Sequence, residues 1–414
     1  MSTPVRLAVV GAGSRGTNYA RLAANVGAVV VAVAEPDPVR RELFAAEFSL
    51  SPEAVFVTWE DLVVAPRSAD AVVIATQDRG HTAPAVAFAH AGFDILLEKP
   101  IAPTEGEATQ IVEAVEATGV IMAVGHVMRY SDYTRALKEL LRAGAIGKIV
   151  SVEHLEPIGW WHFAHSYVRG NWRREETSSS MLMAKSSHDL DWLSYIVGRP
   201  VRRVSSFGGL YWFRPENKPA KAANRCVDCP LQKTCAYSAT QIYEGFLEDP
   251  SYRVWPLGVL TPNPTAETVR NALETGPYGA CVYNGQNDVA DHQVVNLEFD
   301  DGSTAAFTAV AFTQLEFRKT RIFGTEGSID GDGQNLTILD FATGQTRILD
   351  TMPAGGASAA DGHGGADGRL VEAFLHAVAA RDGSGLSPAR ESLESHQLVW
   401  AAERARERGE VVTL

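Results

Sequence analysis

At 414 residues the chain is too long for a single hydrophobic core and suits two domains. Its formal net charge of -13 repels phosphate over most of the surface, which argues against nucleic acid or anionic membrane as the main partner. Four cysteines in such a length do not make a disulfide scaffold, no apolar stretch reaches the roughly 20 residues of a membrane helix, and the N-terminus lacks a leader's charged and apolar regions, so a cytoplasmic enzyme is expected.

The apolar run from Val5 to Val10 predicts a buried strand, and it stops in Gly11-Ala12-Gly13-Ser14-Arg15-Gly16. In such a turn Gly11 allows the tight bend, Gly13 lets a pyrophosphate approach, and Gly16 lets the following helix pack on the strand. The free N–H groups opening that helix, with Ser14 and Arg15 among them, suit a dinucleotide's phosphates. A second run, Val29 to Ala34, ends at Glu35, about 20 residues beyond the glycines, where a carboxylate accepts hydrogen bonds from ribose hydroxyls. That predicts NAD rather than NADP, with Asp37 as the second candidate ligand. Strands predicted at 5–10, 29–34, 71–76, 94–98 and 120–124 alternate with helical stretches such as 15–26 and 104–118, which means a parallel sheet with right-handed crossovers. Ligands in such sheets sit at the carboxyl ends of strands, so Thr76, His81, Glu98, Lys99 and His126 are expected along one crevice. Within it, Glu98-Lys99-Pro100 places an ionisable amine near the nicotinamide.

Beyond residue 128 the pattern changes to α+β, with a mainly antiparallel sheet over 129–414. Ser131 can cap a helix that carries Tyr133, Leu137, Leu140 and Leu141 and stops near Gly144. Strand-like runs follow at 148–156 and 201–212, and a pair at 292–300 and 303–313 is joined by the hairpin signal Asp300-Asp301-Gly302. Low-complexity residues 354–368 are expected to be a mobile loop before closing helices at 369–381 and 390–407.

A helix predicted from about Ser179 to Val197 sets Lys185, His188 and Trp192 on one face and Leu190, Leu193 and Ile196 on another. Lysine and histidine have tunable pKa values and can remove a hydroxyl proton during hydride transfer; the plain alternative is a Lys185 paired with a carboxylate. Gly125 to Tyr130, with Arg129, should overhang the nicotinamide. Residues 160–174 gather Trp161, His162, His165, Tyr167, Arg169, Trp172, Arg173 and Arg174. Aromatic faces stack on sugars and arginine forks grip anions, so this stretch reads as a wall for an anionic sugar or glycoside, or else as a packing segment. Cys226, Cys229 and Cys235 give C-x2-C-x5-C, and with Cys281 they can close a structural zinc site stapling an insertion at about 214–285. His292 and His363 are stand-in ligands, and an iron–sulfur cluster or free thiols are the alternatives.

On the glycine turn, Glu98-Lys99-Pro100 and the helix bearing His188, the chain resembles the Gfo/Idh/MocA oxidoreductases over nearly its whole length. The resemblance implies an α/β fold, an N-terminal Rossmann domain (1–128) plus a C-terminal α+β domain whose open sheet binds substrate, and a homo-oligomer, dimer or tetramer. It also implies that Lys99 contacts nicotinamide and substrate, that His188 acts in proton transfer, and that Lys185 assists. Many relatives carry an aspartate four residues before that histidine, where this chain has Ala184. The expected activity is NAD-dependent oxidation of a sugar or glycoside hydroxyl. The alternatives are an NAD-dependent glycosidase, as in the sulfoquinovosidases, and a catalytically silent NAD-binding sensor.

Overall fold

The computed structural model describes residues 3–67, 69–352 and 365–414. Most of the loop expected over 354–368, with His363, lies outside them. Residues 366–368, by contrast, are already helical.

The first strands, β1 (Arg6–Val10), β2 (Val29–Ala34), β3 (Val55–Phe56), β4 (Ala71–Ile74), β5 (Asp94–Leu97) and β6 (Met122–Val124), form a parallel sheet in the order β3-β2-β1-β4-β5-β6. Their aliphatic runs are buried on both faces, as a sheet covered on both sides by crossover helices requires. Those helices are α1 (Ser14–Asn25), α2 (Pro38–Glu47), α3 (Trp59–Val64), α4 (Thr82–His90) and α5 (Glu105–Thr118). Thr104 caps α5 by accepting from the Glu107 N–H, and Gly119, at φ +68°, ends it. The carboxyl ends of β1, β2, β4, β5 and β6 therefore open on one side, as the alternation predicts.

Ser131 caps α6 (Asp132–Arg142), accepting from the Thr134 N–H at 3.1 Å. After it come β7 (Ile149–Pro157), a short α7 (Trp160–Phe163) running into a π-helical turn over Ala164–Arg169, α8 (Met181–Val197) and β8 (Val201–Gly209). The strand expected to reach 212 stops at Gly209 because the Asp291 carboxylate accepts from the Tyr211 and Trp212 N–H groups, at 3.0 and 2.7 Å. The insertion holds α9 (Ala239–Gly245), α10 (Gly258–Leu260) and α11 (Ala266–Thr275), with its own small core of Ile242, Tyr243, Leu257, Val269 and Leu273. The chain then returns through β9 (His292–Phe299), β10 (Thr304–Val310), β11 (Lys319–Gly324), β12 (Gly327–Gly331), β13 (Asn335–Asp340) and β14 (Thr346–Asp350). With a terminal β15 (Val412–Thr413) these make a nine-stranded sheet, β14-β13-β12-β11-β7-β10-β9-β8-β15. It is antiparallel except for β7 beside β10, and β9 and β10 form the expected hairpin.

Of the closing helices, α12 (Ala366–Ala380) turns back to the first domain, where Leu370, Val371 and Phe374 share one core with Leu7, Val9 and Tyr19. The last helix, α13 (Ala389–Arg408), packs on α8 and α5. The core of residues 1–128 is thus completed from the far end of the chain. Among the described residues, no helix is long and apolar enough to cross a membrane.

Candidate active site

At the nucleotide end, Gly11 has φ +90°, and a Cβ there would lie 2.7 Å from the Ala75 carbonyl oxygen. One at Gly16 would lie 1.9 Å from the Gly11 carbonyl oxygen, so both positions admit only glycine. Gly13 has nothing within 4 Å of its absent Cβ, leaving an open cradle beside the first N–H groups of α1. Glu35, at the end of β2, accepts from the Ala12 N–H at 2.7 Å and the Asp37 N–H at 2.9 Å, which fixes a buried carboxylate next to that cradle. These residues fit a dinucleotide carrying a free ribose 2′-hydroxyl. Asp37 has a structural task of its own: its side chain caps α2, Oδ1 accepting from the Arg40 N–H at 2.9 Å. Titration calorimetry should therefore give tighter binding of NAD than of NADP, and Glu35→Ala should shrink that preference. Equal affinities in the unaltered protein would remove Glu35 from the ribose site.

Arg15 does not face the cradle as a free donor. It donates to Glu98 Oε1 at 2.5 Å, to Asp367 Oδ1 at 2.7 Å and to the Tyr19 hydroxyl at 2.6 Å. Glu98, whose other oxygen accepts from the Lys99 N–H, braces the loop that presents Lys99. Buried His81 sets Nδ1 2.7 Å from the Pro100 carbonyl and Nε2 3.3 Å from the Thr76 carbonyl, clipping the loops after β4 and β5 together.

At the reactive end, Lys99 Nζ donates to the Ala184 carbonyl in α8 at 2.6 Å, which ties the first domain to the second. Burial lowers the Lys99 pKa below the ordinary lysine value; Glu98 and Asp78 oppose this, and Arg15 and Lys185 add to it. One helical turn on, buried His188 lies with its ring centre 6.2 Å from that of His126. His126 Nδ1 is in turn 2.7 Å from Asp191. Lys185 does pair with a carboxylate, its Nζ standing 3.0 Å from Glu156 Oε1 on β7. Asp78, absent from the sequence-based candidates, is buried in the loop after β4 and accepts from Ser179 Oγ at 2.8 Å, Ser178 Oγ at 3.2 Å and Trp172 Nε1 at 3.3 Å. The rule that ligands gather at strand carboxyl ends could have found it. Glu156, Asp189 and Arg318 were also missed, because nothing in the sequence links positions so far apart.

The expected substrate wall divides. His162 and Tyr167 face the charged cluster: burial, then Lys185, depresses the His162 pKa, while burial, then Glu156, raises that of Tyr167. Trp172 reaches the same place through Asp78. The other members are structural. Trp161 packs against Phe246 and Trp255 in the insertion. His165 bonds the Tyr243 hydroxyl at 2.9 Å and stacks on Tyr278; burial, with Arg169 nearby, lowers its pKa to about 3. Arg169, 1% exposed, donates to the carbonyls of Ala280 and Tyr237 at 2.8 and 2.7 Å. Arg173 donates to the Gly170 carbonyl at 3.1 Å. Arg129 does not overhang a ligand either, since it grips both Asp191 oxygens at 2.6 and 2.7 Å and Glu391 at 2.5 Å. Trp192 is buried, stacked on His154, and offers no sugar platform.

Cys226, Cys229, Cys235 and Cys281 line one cavity of about 650 Å³ with Trp212, Tyr237 and Phe312. None of the four forms a disulfide, and burial pushes the thiol pKa values of Cys235 and Cys281 up. Among the described residues no group of three or more His, Cys, Asp or Glu side chains is placed to hold a metal ion, so the residues do not fit the expected zinc site. His292 lies beside Asp291 at 3.0 Å instead. The apolar core under α9 and α11 and the Arg169 hydrogen bonds hold the insertion.

The curated relatives include 2,7-anhydro-N-acetylneuraminate hydratase of Mediterraneibacter gnavus, 28% identical over 206 residues, which covers 50% of this chain and 52% of that protein. Inositol 2-dehydrogenase 1 of Saccharopolyspora erythraea is 36% identical over 204 residues, covering 49% and 57%. The chain spans between about half and three-fifths of the length of the curated relatives it matches. Among solved structures, levoglucosan dehydrogenase in complex with NADH and levoglucosan superposes with a TM-score of 0.70 at 18% identity, covering 99% of both chains, a likeness of fold. A family model described as an oxidoreductase family with an NAD-binding Rossmann fold matches residues 5–126, and its companion, the C-terminal alpha/beta domain, matches residues 138–414. With both halves matched, the chain belongs to the Gfo/Idh/MocA oxidoreductase family.

Proposed function

We propose that the protein is an NAD-dependent oxidoreductase acting on a hydroxyl of a sugar or glycoside. The observation that carries this reading is the Lys99–Ala184 contact, which sets an amine of depressed pKa beside the helix bearing Lys185 and His188. Bound NAD would supply the hydride acceptor. Lys99 Nζ takes the hydroxyl proton, and His188, backed by His126 and Asp191, orients the same hydroxyl and passes protons onward. The Arg129 guanidinium is taken up by Asp191, Ser387 and Glu391, Arg169 spends Nε and Nη2 on the Ala280 and Tyr237 carbonyls, and Arg173 spends Nη1 on the Gly170 carbonyl, which favours a neutral polyol over a sulfonated sugar.

A second reading, net hydration or glycoside cleavage with the redox step reversed at the end, is favoured by the likeness to an anhydro-sugar hydratase and by a second cation, Lys185, able to protonate a leaving oxygen. A panel of free sugars and aryl glycosides, neutral and anionic, separates the two. NADH formation without aglycone release supports the first, and aglycone release without net NADH supports the second. NAD binding with neither would overturn both and leave a sensor.

A further inference from the structure

Beside Lys99 runs a chain of buried charges that the hydroxyl proton transfer to Lys99 and His188 does not use. Glu156, 2% exposed, holds one cation on each oxygen: Lys185 Nζ at 3.0 Å and Arg318 Nε at 2.7 Å. Arg318 continues to Asp189 at 2.8 Å, and Asp189 to His154 Nε2 at 3.1 Å. With a cation on each oxygen, Glu156 meets other side chains and not the substrate. It can fix a flexible side chain. The lysine head group sits on a four-carbon stem that gains entropy by leaving for water, and only an oriented partner keeps it in place.

Besides Glu156 and its partner Arg318, Lys185 acts on Lys99 and His162, and the next turn of α8 carries His188 and Asp189. The charged or titratable groups around Lys99 are Glu98 on its own loop, Asp78 after β4, Arg15 on α1, Lys185 on α8 and His396 on α13. Lys185 is thus the cation that the second domain brings to Lys99. Resting on the function proposed above, we infer that Glu156 is a positioning residue: it pins the Lys185 ammonium against the Lys99 end of the cleft, and that fixed charge keeps Lys99 free to accept the hydroxyl proton. In that step the substrate O–H bond breaks, the proton goes to the Lys99 lone pair, and Lys185 contributes charge without giving up a proton. The depressed pKa of Lys99, in which burial comes first and Lys185 contributes, agrees.

The test needs no substrate. Competitive labelling with acetic anhydride, read by mass spectrometry across pH on the intact chain, reports the reactivity of each lysine separately. Lys185→Met should raise the labelling midpoint of Lys99 by about one pH unit, the size expected from removing one nearby like charge. Glu156→Gln should make Lys185 label several-fold faster, and Glu156→Asp should restore most of the protection. In kinetics, the limb along which kcat rises with pH should move to higher pH in Lys185→Met, with KM little changed, because a base of higher pKa is uncharged only at higher pH. An unchanged Lys99 midpoint in Lys185→Met, or unchanged labelling of Lys185 in Glu156→Gln, overturns the inference. Lys185→Met keeps the Glu156–Arg318 pair, so it decides the matter even where Glu156→Gln does not fold. If no sugar is turned over, the proposed function falls while the labelling still judges Glu156.

Discussion

Lys99→Ala should lower kcat by about a hundredfold or more while leaving NAD affinity largely unchanged. The cofactor's fit rests on the glycine cradle and Glu35, and Lys99 belongs to neither. Its contacts are with the reacting end, where Nζ meets the Ala184 carbonyl in a largely buried place. Truncation removes the amine at the reacting end, whose pKa burial lowers, and water admitted in its place is a far weaker base. Lys99→Arg should rescue little, because a guanidinium stays charged and cannot accept the proton. Steady-state kinetics with cofactor titration decides the point; turnover within about threefold of the unaltered protein would take Lys99 out of the mechanism.

The largest effect on stability is expected at Asp191, which is 1% exposed. It accepts from Arg129 on both oxygens and from Ser395 Oγ at 2.7 Å, and it lies 2.7 Å from His126 Nδ1. Asp191→Ala would leave the Arg129 guanidinium buried with Ser387 and Glu391 alone, which costs about 3–5 kcal/mol, the usual penalty for removing one partner of a buried ion pair. Urea denaturation measures it, and a loss below about 1 kcal/mol would mean that Glu391 and solvent suffice for Arg129. Burial alone would raise the Asp191 pKa, but His126 and Arg129 pull it well below the usual carboxylate range. A carboxylate depressed in the folded state contributes fully above its unfolded pKa of about 4, and the contribution is lost as pH falls toward the folded value. The variant should therefore lose part of the acid sensitivity that the unaltered protein shows below about pH 4.

What the sequence made legible was local. The glycine turn, the strand-end positions of Glu35 and Lys99 and the cap at Ser131 all depend on a few residues or on the end of one strand, so spacing alone placed them in the fold. The charged cluster was not legible, because Glu156, Asp189 and Arg318 meet only when β7, α8 and the approach to β11 fold together. The stretch 160–174 misled for a different reason. An arginine fork bonds a backbone carbonyl as readily as an anion, and composition does not say which way it points; Arg169 ends a π-helical turn and points into the insertion. Trp192 shows the limit of a face argument, since α8 is buried all round except at Lys185, Ser194, Tyr195 and Val197. A helix with almost no wet side has no single functional face.

The return of α12 also bears on how the protein is made. Leu370, Val371 and Phe374 roof the sheet that carries the glycine turn, and Asp367 pairs with Arg15. These residues leave the ribosome more than 300 positions after that turn, which at ordinary elongation rates is a delay of roughly tens of seconds. Throughout that time the nascent first domain carries an uncovered apolar surface, a natural target for a chaperone. A chain cut back before residue 366 should therefore lose the roof over this sheet and the Asp367 brace on Arg15 beside the glycine turn.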